Sequence, residues 1–149
     1  MPLKAMIYAT TSKTINVAPP GALVNNASVS VTAVDRHGFD YAVIRLILGS
    51  TDIALTALKL QESDDNSTWS DISGLDYSSS PATLPTATDD NHVFSFDVDL
   101  RGRKRYLKPI VTVGSGSSGA YVAVLADLFR AEQAPHDATS RGLAGALSA

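Results

Sequence analysis

Residues 93–100 read VFSFDVDL, with Phe94, Phe96, Val98 and Leu100 alternating against Ser95, Asp97 and Asp99. A two-residue period sorts these sets onto the two faces of a β-strand and onto no single face of a helix. The first set is therefore expected to point inward and the second outward. Variants of this pattern recur along the chain. Residues 28–34, SVSVTAV, put Val29 and Val31 on one face and Ser28, Ser30 and Thr32 on the other. Residues 54–62, ALTALKLQE, oppose Leu58 and Leu60 to Lys59 and Gln61. Residues 40–48, DYAVIRLIL, are apolar on both faces apart from Arg45. Such a strand is either covered on both sides or lies at a subunit interface.

The segments between these runs carry turn chemistry. Asp35-Arg36-His37-Gly38, Gly49-Ser50-Thr51-Asp52 and Arg101-Gly102-Arg103-Lys104 are turns, and Asp64-Asp65-Asn66-Ser67 is a hairpin tip. Residues 105–113, RYLKPIVTV, are expected to pair with 93–100. Pro109 lacks an N–H, which places that strand at an edge or at a bulge. Residues 120–130, AYVAVLADLFR, read as a further strand, although their length also allows a short helix. Residues 73–91 form a long polar loop with two prolines, a length that suggests function or ordering by a partner.

Short strands at regular spacing predict an all-β fold, an antiparallel β-sandwich or barrel of jelly-roll type with extended N- and C-terminal arms. Three regions are expected: an irregular or extended arm over 1–27, the β domain over 28–130, and a flexible tail over 131–149, free to order on a neighbour. A chain of 149 residues buries a real core without staples.

Composition narrows the function. There is no cysteine, which removes disulfides, thiol nucleophiles and thiolate metal sites. Charged residues are 18% of the chain and the net charge is −3, so no general attraction to nucleic acid is expected. The N-terminus lacks the continuous apolar stretch of a signal peptide, and no run reaches the length of a membrane span. No membrane partner is expected.

No catalytic motif emerges. Asp64, Asp65, Asn66 and Asp71 offer oxygen ligands without the alternate spacing of a calcium loop, and they read as a solvated hairpin tip, as do Asp89 and Asp90 at their own turn. Gly114–Gly119, GSGSSG, lacks the Lys-Ser/Thr that follows a phosphate loop and reads as a flexible hairpin connection. His37, His92 and His136 fall in turns or the tail, with no partner at ligand spacing. Trp69 reads as a core anchor. No enzyme activity and no cofactor are expected. Two groups are the candidate protein contacts. One is Tyr41, Val43 and Arg45 on the doubly apolar strand. The other is the basic cluster Arg101, Arg103, Lys104 and Arg105, for which a solvated hairpin ranks ahead of a protein contact and well ahead of phosphate binding.

The stretch Leu58–Ile72, LKLQESDDNSTWSDI, resembles a strand–turn–strand phrase of small structural proteins of tailed bacteriophages. Residues 105–113 and 121–128 are similar to the same proteins. The resemblance implies an auxiliary capsid protein of the decoration or cement kind. It would be made in the host cytoplasm and placed on the capsid surface of the virion. Its partners would be the major capsid protein and its own copies, as a trimer or dimer. A tail-tube, head–tail connector or head-fibre base protein is the nearest alternative. A further alternative is a carbohydrate- or cell-surface-binding sandwich, with Trp69, Tyr77 and the 73–91 loop as the recognition face.

Overall fold

A computed structural model describes residues 10–133 and 137–147. Among the described residues, nine strands run in chain order: β1 Lys13–Ala18, β2 Ala27–Ser28, β3 Val34–Asp35, β4 Phe39–Thr51, β5 Leu55–Ser63, β6 Ser70–Asp76, β7 Val93–Asp99, β8 Tyr106–Val113 and β9 Ala120–Ala131. They form two antiparallel sheets. One has the order β1-β9-β4-β7. The other has the order β2-β8-β5-β6, with β3 also on β8.

The pairing is nested about the β5–β6 hairpin. Gln61 faces Asp71, Ile44 faces Phe96, Val34 faces Leu107 and Ile15 faces Ala126. The chain is thus doubled on itself into a long ribbon. Rolling that ribbon lays β4 beside β9 and β5 beside β8. This is the jelly roll, in the two-sheet sandwich form. With β2 and β3 as two ends of one interrupted strand, it has eight strand positions.

The core lies between the sheets. Ala42, Ile44, Leu46 and Leu48 of β4 meet Leu58 and Leu60 of β5, with Val111, Val124 and Leu128 from the neighbouring strands. The alternation at 93–100 holds. Phe96, Val98 and Leu100 are buried and Asp97 and Asp99 exposed. Residues 120–130 lie within strand β9.

Several local expectations fail, because pairing here is set by distant residues. Residues 93–100 and 105–113 are not a hairpin. β7 belongs to one sheet and β8 to the other, so Arg101–Lys104 crosses between layers. Gly114–Gly119 also crosses between layers, from β8 to β9, and it is held in place. Asp52 accepts from Ser118 N at 2.7 Å and Gly119 N at 2.9 Å, and Asn25 exchanges two bonds of 2.9 Å with Gly116. The loop does cradle an anion, and that anion is a carboxylate of its own chain.

Residues 28–34 are not one strand. Val29 N bonds Val111 O at 2.8 Å and Thr32 N bonds Val17 O at 2.8 Å, so the segment steps from one sheet to the other and closes that side of the sandwich. Pro109 lies opposite Leu60. The period of two puts its ring nitrogen on the same side as Val111 O, facing the gap between β2 and β3, where no ladder donor is required.

The terminal arms are partly structural. Residues 13–18 of the expected N-terminal arm form β1, with Val17 and Ala18 buried. In the expected flexible tail, residues 137–143 make one capped turn. Ser140 N donates to Asp137 at its start, and Leu143 N and Gly142 N donate to Ala138 O and Thr139 O at its end. That closing pattern is a Schellman motif with Gly142 at φ 75°. Thr14 N bonds Arg141 O at 2.7 Å, which docks the turn on β1. His136 lies outside the described residues, as do 1–9 of the arm and the last two residues of the tail.

The long loop between β6 and β7 is ordered by its own core contacts. Tyr77 and Leu84 pack on the core, Leu55 N bonds Pro85 O at 3.0 Å, and residues 73–76 of the expected 73–91 loop belong to β6.

Candidate protein-docking face

The two sheets differ on their outer faces. On the β5–β8 sheet, Thr56, Lys59, Gln61, Lys108 and Thr112 point out together with Tyr106 and Ile110, so polar side chains are the majority on that surface. On the β4–β9 sheet, Tyr41, Val43 and Ile47 alternate outward from β4, and Leu125 and Phe129 do so from β9. All are at least partly exposed, and Ile47 is 39% exposed. Among the described residues, the doubly apolar run 40–48 is therefore fully covered on one side only.

Cross-strand register assembles the outer face. Tyr41 lies opposite Phe129, Val43 opposite Asp127, Arg45 opposite Leu125 and Ile47 opposite Ala123. The rings of Tyr41 and Phe129 are 6.3 Å apart at a 38° tilt. Arg45 reaches diagonally to an ion pair with Asp127. Tyr41, Val43 and Arg45, expected as contacts, thus come together. With Thr11, Phe129 and Arg130 they line a shallow groove of about 350 Å³. Arg130 was not anticipated. Its signal was its place at the end of an alternating run, next to Phe129. The backbone at Arg130 is left-handed, φ 57°, a conformation that non-glycine residues adopt at a cost.

Towards the other end of the same face, the 137–143 turn is docked on the edge strand β1. Leu143 and Ala144 wall a second groove of about 480 Å³, whose floor is Ile47, Ala123 and Leu125.

The basic cluster does not line the Tyr41 groove, and only Arg101 borders the face, through Asp99 opposite Tyr41. Each of its members is engaged by a nearby partner. Arg101 forks onto Asp99 at 2.9 and 2.6 Å, and Arg105 forks onto Asp35 at 3.0 and 2.8 Å. Arg103 reaches Glu62 at 3.4 Å, and Lys104 uses its backbone N–H on Glu62 and its ammonium on Ser70. Arg36 bonds the carbonyls of Arg103 and Lys104. The Arg101 guanidinium and its backbone N–H hold the Asp99 carboxyl down to about 2. Arg105 likewise holds Asp35 below the usual range. Forked pairs of this kind leave little cationic field for an outside ligand.

Other candidates resolve locally. Asp65 accepts from Ser67 N, Thr68 N and the Ser63 and Thr68 hydroxyls, so its oxygens organise the hairpin tip. The N–H groups of Thr68 and Ser67 keep its carboxyl far below the usual range. Asp89 does the same for Thr86. Among the described residues, no three His, Asp or Glu side chains converge as a metal site.

Trp69 is not a core anchor. It is only partly buried and lies on the polar sheet, with the Lys108 ammonium 4.2 Å from its ring centroid. Tyr77 faces inward, edge-on to Phe94 and Phe96 at 5.9 and 5.4 Å. The two aromatics thus do not share a recognition platform. No family model, curated protein or solved structure matches this chain.

Proposed function

We propose that this protein is a non-enzymatic virion component that binds the outer surface of a phage capsid and stabilises it by bridging major capsid subunits. One observation carries the reading: one sheet of the jelly roll turns a cluster of apolar and aromatic side chains outward, Tyr41, Val43, Ile47, Leu125 and Phe129, while the outer face of the other is mainly polar. An exposed apolar face on an otherwise well-paired surface marks a protein contact. The phage-like phrase at 58–72 supplies the class of partner. A jelly roll supports many functions, so the fold adds compatibility alone.

The test is a particle assembled with and without the protein. Copies on the shell in numbers comparable to the major capsid protein, and shells that lose heat resistance when it is omitted, are the expected results. Equal shell stability, or absence from the particle, overturns the reading.

A further inference from the structure

We infer that the groove beside Tyr41 and Phe129 recognises an extended protein segment carrying a carboxylate next to an apolar side chain. The inference rests on the docking-face reading above and adds the chemistry of the partner.

The floor of the groove is apolar and aromatic: Tyr41, Val43 and Phe129. Two guanidiniums border it, from Arg45 on β4 and Arg130 on β9. Arg45 spends one N–H on Asp127 and keeps 39% of its side chain exposed. A guanidinium has five donors in a planar fork, so one such bond leaves a carboxylate-binding edge. The Arg130 side chain is exposed and, among the described residues, makes no direct hydrogen bond or ion pair, although Asp99, two strands away on the same face, lies within range of its charge. It is also the cation whose backbone is held left-handed. Two cations flanking an aromatic floor complement an acidic group whose neighbour is apolar.

The same surroundings disfavour a polyanion. Asp127 touches Arg45, and Asp97 and Asp99 stand on the adjacent strand β7, opposite Val43 and Tyr41. The whole chain carries a net charge of −3. A strand of phosphates crossing this face would meet those carboxylates all along its length, whereas a single side-chain carboxylate would meet them at one point only.

The experiment is a titration of isotope-labelled full-length protein, followed by amide NMR shifts. The probes are acetyl-Gly-Phe-Asp-Phe-Gly-amide, its counterpart with Lys in place of Asp, and an oligothymidylate. The Asp peptide is expected to shift Tyr41, Val43, Phe129 and Arg130, and to bind about tenfold more tightly than the Lys peptide. Arg130→Glu is expected to remove that preference, and Arg105→Glu, in the paired cluster, to leave it intact. Equal binding of the two peptides, shifts centred elsewhere, no binding, or tighter binding of the oligothymidylate overturns the inference. Failure here is separable from failure of the docking face. Tyr41→Asp still abolishes shell attachment if the face is right and its partner chemistry is wrong.

Discussion

The hydroxyl of Tyr77 donates to the carbonyl of Ser95 at 2.8 Å, across the open side of the sandwich. His92 O and Leu100 N bond β4, so residues at even positions of β7 face that neighbour. Ser95 therefore presents its backbone to the free edge. Tyr77 reaches this point from the end of β6 while its ring packs on Phe94 and Phe96. One side chain closes the core and caps an edge strand.

Tyr77→Phe removes the cap alone. A loss of about 1 kcal/mol is expected in urea unfolding, with the fold kept. Tyr77→Ala also removes the ring, and a loss of about 3–5 kcal/mol is expected. It also bares the β7 edge, which light scattering should register as association on warming.

Gly142 tests the docked C-terminal turn. Its φ is 75°, and a Cβ there would lie 1.9 Å from Thr14 O. Gly142→Ala is expected to release the turn and leave the sandwich folded. Faster amide exchange at Thr14 and across 138–143, with unchanged exchange in β5 and β8, is the expected pattern.

Gly119 tests the crossover loop, where a Cβ would lie 2.2 Å from the backbone oxygen of Val24. Gly119→Ala is expected to destabilise the whole domain by about 2–4 kcal/mol, because rigid backbone must move. A loss below about 1 kcal/mol would show that the loop yields readily.

Acid should weaken the fold over a defined window. The carboxyl of Asp99 is lowered from 3.8 to about 2 by Arg101, and Asp52 is lowered by the N–H groups of Gly119 and Ser118. For a lowered carboxyl, the stabilising contribution is present above the unfolded value and lost as pH falls through the folded one. Thermal midpoints should fall as pH drops below 3.8 and continue falling towards about 2. Asp99→Asn should flatten part of that slope without shifting its onset.

Trp69 is the single tryptophan, so its emission reports the Lys108 contact. Lys108→Ala is expected to change the emission of the folded state and to cost about 0.5–1 kcal/mol. A core tryptophan would show no such response to a surface lysine.

The strands were legible because alternation is a local property. VFSFDVDL and ALTALKLQE each declare an inside and an outside without reference to anything else, whereas AYVAVLADLFR reads as a strand but is long enough to allow a short helix too. Pairing was not legible. A Gly- or Asp-rich turn shows that the chain reverses, but the same residues serve a hairpin and a step between sheets. Arg101–Lys104 and Gly114–Gly119 were misread for that reason. Trp69 was misplaced on volume, although its neighbours in the hairpin tip are all polar. The docked turn had a readable signal, Asp137 as N-cap and Gly142-Leu143 as the closing pair, hidden by the small polar residues around it. On the candidate face, Tyr41, Val43 and Arg45 were readable from one strand. Phe129 and Arg130 required the β4–β9 register.

The place of β9 in its sheet has a consequence for how the protein must be made. β9 is the last of the described strands, yet it lies between β1 and β4. Ile15 therefore has no ladder partner until Ala126 has left the ribosome, and β4 keeps one side bare for the same interval. The β5–β6 hairpin can form early, while the sheet that carries the candidate face waits for residues 120–131. A chain stalled before residue 120 would expose the β4 edge and the apolar faces of that sheet together.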